Sequence, residues 1–154
     1  MTVWESLFMI NEGYKIISKE QFSDLIKGHF NIIKPNDVDS YFVSGITGKP
    51  INCECHRANE WWEQNLEDEE MYRLLENLHP FQGELLVVTR ACWFENIGAF
   101  KVNSVELKTF VENHQRVFKY YFFDGDTLII NFELKLVWLF HHEGVYAFID
   151  HNQI

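Results

Sequence analysis

VFKYYFFDGDTLIINFELKLVWLFHHEGVYAFI, residues 117–149, is dense in β-branched and aromatic residues and is punctuated by two reversal signals. Val117 to Phe123 leads into Asp124-Gly125-Asp126. The Asp-Gly step is a strong hairpin signal, because Gly accepts the positive φ that a tight turn requires. Thr127 to Phe132, Leu134 to Phe140 and Val145 to Ile149 follow, with His142-Glu143-Gly144 as the next reversal. Runs of this length at these spacings predict an antiparallel meander of about four strands.

Upstream of the meander, Asn103-Ser104-Val105-Glu106 opens a helix, a good N-cap followed three residues later by an acid. Leu107, Phe110, Val111 and His114 supply its buried face. Glu84 to Thr89 and Ala91 to Glu95 read as two short strands, with Ala99 to Val102 as a third. Asn59 to His79 reads as helix with a change of phase. Met71, Leu74, Leu75 and Leu78 form one stripe, while Trp62 and Leu66 sit on another. A new N-cap at Asp68, opening a second helix that stops before Pro80, accounts for the shift. Asn31 to Pro50 is loop-like, with Tyr41-Phe42-Val43 as a short strand within it. Ser18-Lys19-Glu20-Gln21 is a capping box that opens an earlier helix carrying Phe22, Leu25, Ile26 and His29, with Gly28 at its fraying end. The architecture expected is α+β: a single domain over residues 1–154, with N-terminal helices packed on a largely antiparallel sheet that ends in a C-terminal β-meander.

Composition narrows the function classes. The 154 residues hold 13 Lys and Arg against 23 Asp and Glu, a formal charge of −10, with a 47% hydrophobic and 16% aromatic content. A chain so rich in aromatics can build a core and is not a disordered acidic tail. Nucleic acid and anionic membranes draw their affinity from Lys and Arg, so neither is expected as a partner. A strongly acidic surface attracts basic proteins. The N-terminus carries Glu5 where a secretory leader has Lys or Arg, and the apolar Leu134 to Phe148 region is interrupted by Lys135, His141, His142 and Glu143. Cys53, Cys55 and Cys92 are an odd set, which argues against a disulfide framework and for a reducing, cytoplasmic location.

Catalytic signatures are absent from the sequence. There is no Gly-x-Ser-x-Gly elbow, and Gly45-Ile46-Thr47-Gly48-Lys49-Pro50 lacks the spacing of a phosphate loop. Cys92, in a strand-like run, is expected as a buried inert thiol. His141 and His142, at a strand end before Gly144, are expected to point to opposite sides of the sheet and to cap the turn. Asp124 and Asp126 are explained by a tight turn, and His29 and His114 by helix faces at the core edge. Cys53-Glu54-Cys55-His56 offers three ligands of zinc type, with a fourth from Cys92 or a distant His. No cofactor and no bound metal are expected, and loop residues facing solvent are the plain alternative there.

The segment from Glu54 to Glu76 concentrates charge. Glu54, Glu60, Glu63, Glu67, Asp68, Glu69, Glu70 and Glu76 oppose Arg57 and Arg73, so eight acids minus two bases put −6 of the chain's −10 in this segment. Trp61, Trp62 and Tyr72 lie among them. Buried aromatics are the usual energetic anchors of interfaces and acids supply steering. Acids at a helix start also complement the helix dipole without any partner.

In chain size, in the acidic surface around Trp61-Trp62-Glu63 and Glu67-Asp68-Glu69-Glu70, and in the strand-rich run from Gly125-Asp126-Thr127-Leu128 through Phe140-His141-His142-Glu143-Gly144-Val145-Tyr146, the chain resembles bacterial immunity proteins of contact-dependent and other polymorphic toxin systems. That resemblance implies a non-catalytic cytoplasmic protein, monomeric or weakly dimeric, that binds one cognate toxin domain in a 1:1 complex and blocks it. The toxin is then a basic, nuclease-type domain, and Trp61, Trp62, Glu63, Glu67, Asp68, Glu69 and Glu70 are the expected contact residues. The alternatives from the residues alone are a small metal-dependent enzyme using Cys53, Cys55, His56 and His141 or His142, and an acidic subunit of a larger assembly.

Overall fold

In a computed structural model of the protein the described residues are 14–29, 55–58, 67–142, 144–150 and 152, with 26–29, 55 and 57 described as backbone. The element order is β1 (Tyr14–Ile17), α1 (Lys19–His29), β2 (Cys55–Arg57), α2 (Asp68–Leu78), β3 (Glu84–Val88), α3 (Arg90–Phe94), β4 (Ala99–Asn103), α4 (Ser104–Phe118), β5 (Thr127–Asn131), β6 (Leu136–His141) and β7 (Val145–Asp150). The strands join one seven-stranded sheet in the order β1-β4-β3-β5-β6-β7-β2, and every neighbouring pair is antiparallel. The fold is therefore α+β with an antiparallel sheet closed by the β5-β6-β7 meander.

Local signals account for most of these elements. Ser18 and Gln21 form a reciprocal capping box at α1: the Ser18 N–H donates to Gln21 Oε1 at 2.9 Å and the Gln21 N–H to Ser18 Oγ at 3.1 Å. Gly98 follows closely on this corner. It donates its N–H to the Ile17 carbonyl, and a Cβ at Gly98 would run into the Ser18 carbonyl. Asn103 caps α4 by accepting the Val105 N–H at 3.1 Å. On α2, Met71 and Leu75 are buried while Leu74 and Leu78 are partly buried against the core, as the stripe predicts, and Tyr72 joins them.

Two expected strands do not form: one is a short helix, the other a helix end that runs into an irregular connection. Ala91 to Phe94 belongs to α3, with Glu95 as its C-cap; the helix starts after Thr89 and places Ala91 and Cys92 inward. Five residues are too few for a 3.6-residue period to show, so the apolar run imitates a strand. Val117 to Phe123 is not the first strand of the meander: α4 runs to Phe118, one turn beyond His114 on the same stripe, and ends at Lys119 in the left-handed region at φ 70°. The Asp124-Gly125 step therefore lies in the connection from α4 to β5 and makes no hairpin, leaving a meander of three strands. The Asn31–Pro50 loop with its Tyr41-Phe42-Val43 strand, and the 59–66 part of the acidic helix, lie outside the described residues.

Both faces of the sheet are buried. Paired residues share a face, so the row Ile16, Phe100, Val87, Ile129, Trp138 and Phe148 crosses six strands on one side. Phe100 packs edge-on or tilted against Phe110, His114 and Phe118 of α4, which puts α4 over this side. Trp138 meets Phe81 and Phe148 and donates its indole N–H to the His79 carbonyl at 2.9 Å, so the end of α2 covers the same side. The opposite row, Leu86, Ile130, Val137 and Ile149, is fully buried as well. Burial on both faces explains why β5 and β6 read as continuous apolar runs rather than alternating ones.

Candidate functional site

The connection from Lys119 to Asp126 has no regular structure, so its backbone groups need side-chain partners. From inside, His114 Nδ1 lies 2.8 Å from the Tyr120 carbonyl. A carbonyl can only accept, so Nδ1 carries the proton, and Nε2 accepts from the Thr89 hydroxyl at 3.0 Å. Burial lowers the pKa of His114 to about 4, with the Tyr120 bond pulling weakly the other way. The imidazole is thus a neutral bracket within the core, deeper than the core-edge position expected of it. From the rim, Asp68 accepts the Phe122 N–H at 2.7 Å and the Phe123 N–H at 3.1 Å. Its pKa is raised: burial is the largest cause, the two N–H donors oppose it, and Asp124 and Glu67 add repulsion. Thr127 completes the set by donating its hydroxyl to the Phe122 carbonyl at 3.0 Å.

These bonds settle what the acidic segment does locally. α2 begins at Asp68 after Glu67, and Glu67 makes no side-chain cap bond. Asp68 is therefore not the N-cap expected from the phase shift; it reaches across to the connection some fifty residues later in the chain. Glu67, Glu69 and Glu70 are left exposed, and Glu69 pairs with Arg73 at 3.4 Å in the open, a contact worth little. Trp61, Trp62 and Glu63 lie outside the described residues.

Beside this acidic turn the structure assembles an aromatic surface that sequence reasoning missed. Phe94 of α3 stacks on Tyr120 with ring centroids 5.2 Å apart and an interplanar angle of 10°. The Arg90 guanidinium sits 5.2 Å from the Phe94 centroid and 5.6 Å from that of Tyr120, and is anchored to Asp124 at 3.1 Å. Cation–π contact and the ion pair together hold the two rings in place. Phe94 is 57% exposed, Tyr121 60% and Trp93 of the same short helix 47%. Asp124, expected only as a turn residue, is the anchor of Arg90. The signal was present in the sequence as six aromatics, Trp93, Phe94 and Tyr120 to Phe123, but which of them stay exposed depends on the helix and bracket just described.

The other candidates separate clearly. Cys92 is buried, its thiol pushed up to about 12 by desolvation, and it accepts the Thr89 N–H at 3.5 Å, as an inert core thiol should. Cys53 lies outside the described residues. His56 on β2 stacks on Tyr146 at 5.3 Å. His141 and His142 do not point to opposite sides: their rings lie 4.1 Å apart, because His142 has left the strand and entered the turn closed by Gly144. No helix among the described residues is long and apolar enough to cross a membrane. Comparison of the chain with protein-family models, curated proteins and solved structures finds no match.

Proposed function

We propose that this chain is a non-catalytic binding protein that captures a basic partner on the face formed by the acidic first turn of α2 and the Phe94–Tyr120–Tyr121 surface. One observation carries the reading: Asp68 ties the exposed acids of α2 to the backbone of the loop that presents Tyr121 and the ring of Tyr120 stacked on Phe94. Exposed carboxylates beside rigid aromatic rings combine steering with anchoring, the two ingredients of a fast and tight interface. Arg90 contributes rigidity, since a pre-stacked ring loses less freedom on binding. The resemblance to immunity proteins supplies the partner's class, a cognate and basic toxin domain of nuclease type bound 1:1, with nucleic acid and membranes disfavoured by the charge of −10.

The test is co-purification of tagged chain with the product of the adjacent upstream gene, followed by association kinetics across salt. The expected result is a 1:1 complex with a basic domain, whose association slows as salt rises. In the double variant Glu69→Lys/Glu70→Lys association should slow about tenfold or more, and in Tyr121→Ala dissociation should quicken. A basic partner that binds both variants as it binds the parent chain overturns this surface as the interface. Failure of any basic domain to bind overturns the function.

A further inference from the structure

We infer that Asp126, His141 and His142 form a binding site for a divalent zinc-type ion at the end of the β5–β6 pair, on different residues from the interface proposed above. Antiparallel register builds the site. Thr127 pairs with Phe140 and Leu128 with Leu139, so one step further along the ladder Asp126 comes opposite His141. The next residue turns: Gly144, at φ 86°, donates its N–H to the His141 carbonyl at 2.8 Å, and this tight reversal swings the His142 ring to within 4.1 Å of the His141 ring. Asp126 Oδ1 accepts the His142 backbone N–H at 2.9 Å and lies 2.9 Å from His142 Nδ1. One ligand atom from each of the three residues falls within 4.8 Å of the others. Among the described residues this is the group of His, Cys, Asp and Glu that converges in this way.

The donor set selects the ion. Two imidazole nitrogens and one carboxylate oxygen suit Zn²⁺, whereas Ca²⁺ and Mg²⁺ demand oxygen donors throughout. With bonds of about 2.0–2.1 Å, tetrahedral zinc ligands stand about 3.3 Å from one another. The 2.9 Å contact between Asp126 and His142 therefore has to open by only a few tenths of an ångström to admit the ion. The Asp126 side chain is 18% exposed and that of His142 55%, so the ion can enter from solvent, and water completes the coordination. The Thr127–Phe140 and His141–Val145 strand pairs hold Asp126 and His141 close before any metal arrives, which lowers the ordering cost of binding. The bound ion would join β5 to β6 at their shared end. The plain alternative is a hydrogen-bonded Asp126–His142 pair that only caps the turn.

The experiment is zinc titration of the full chain stripped of metal and carrying Cys53→Ser and Cys55→Ser, so that thiols cannot compete. The expected result is one Zn²⁺ per chain, with affinity falling tenfold or more in both Asp126→Asn and His141→Ala and unchanged in His56→Ala. Absence of saturable zinc binding, or affinity in Asp126→Asn and His141→Ala unchanged from the chain without these substitutions, overturns the site. The unsubstituted chain provides a second measurement that needs no variant. Of its seven histidines, His141 and His142 should show the imidazole nitrogen shifts of metal ligation when zinc is added; shifts confined to other histidines overturn the assignment.

Discussion

His114 and Asp68 hold the same irregular stretch of backbone from opposite sides, and they do it with opposite chemistry. His114 reaches from the core and donates to the Tyr120 carbonyl; Asp68 reaches from the rim and accepts the N–H groups of Phe122 and Phe123. Inside, the bracket is neutral, because an imidazolium with no counter-charge could not be accommodated there. At the rim the bracket is a carboxyl that keeps contact with solvent and can be charged. A connection without secondary structure is thus held by matching the Tyr120 carbonyl and the Phe122 and Phe123 N–H groups to side chains whose protonation suits their depth.

Removing the inner bracket should have the largest effect. His114→Ala leaves a cavity beside Phe110, Phe118 and Phe122 and strips a partner from Thr89 and Tyr120; a loss of about 3–4 kcal/mol in denaturant unfolding is expected. Acid should reproduce most of it. The folded pKa of about 4 lies below the ordinary 6.5, so above pH 6.5 the group costs the fold nothing. As pH falls from 6.5 towards 4 the unfolded chain takes up the proton first, and about 3 kcal/mol is lost. His114→Asn can still donate to Tyr120, and its pH–stability curve should be flatter over that window. An unchanged slope would show that another group controls acid unfolding.

The rim bracket should matter less. Asp68→Ala orphans two N–H groups and is expected to cost about 2–3 kcal/mol, while Asp68→Asn, which keeps an acceptor and relieves the desolvated charge, should cost about half of that. Equal costs for the two variants would show that the charge, rather than the acceptor, holds the loop. Asp68 also opposes His114 in its pH response. Its raised pKa means that the protonated form favours the fold, an advantage lost as pH rises through the folded value. Smaller again is Lys119→Gly, which should stabilise by about 0.5 kcal/mol because Gly adopts φ 70° without strain. Tyr121→Ala, at a residue 60% exposed, should leave the melting temperature unchanged while weakening partner binding, which separates presenting the loop from building it.

The same stretch marks where sequence reasoning stops. β5, β6 and β7 were legible because long β-rich runs are bounded by turn residues, and α4 because Asn103 and the Leu107–His114 stripe agree. Phe118 continues that stripe four residues after His114, yet the aromatic density of 117–123 imitates a strand, and only the tertiary brackets reveal otherwise. The place of β4 between β1 and β3, and of β2 beside β7, depends on pairings between distant segments that no local pattern records. At the candidate site the acids of α2 were plain in the sequence. Their companions Arg90, Phe94 and Tyr120 come together from segments some thirty residues apart, and Asp126 meets His141 only through strand register.

The order of the sheet carries a consequence for synthesis. Among the described residues its two outer strands, β1 and β2, are the first two made, while the five strands between them come from residues 84–150. As the chain leaves the ribosome, Tyr14 must wait for Val102, and Cys55 for Ala147. Pairings so distant along the chain close slowly, and the nascent chain carries unpaired strand edges until β7 has emerged. The central hairpins are therefore expected to form first and the outermost strands to dock last.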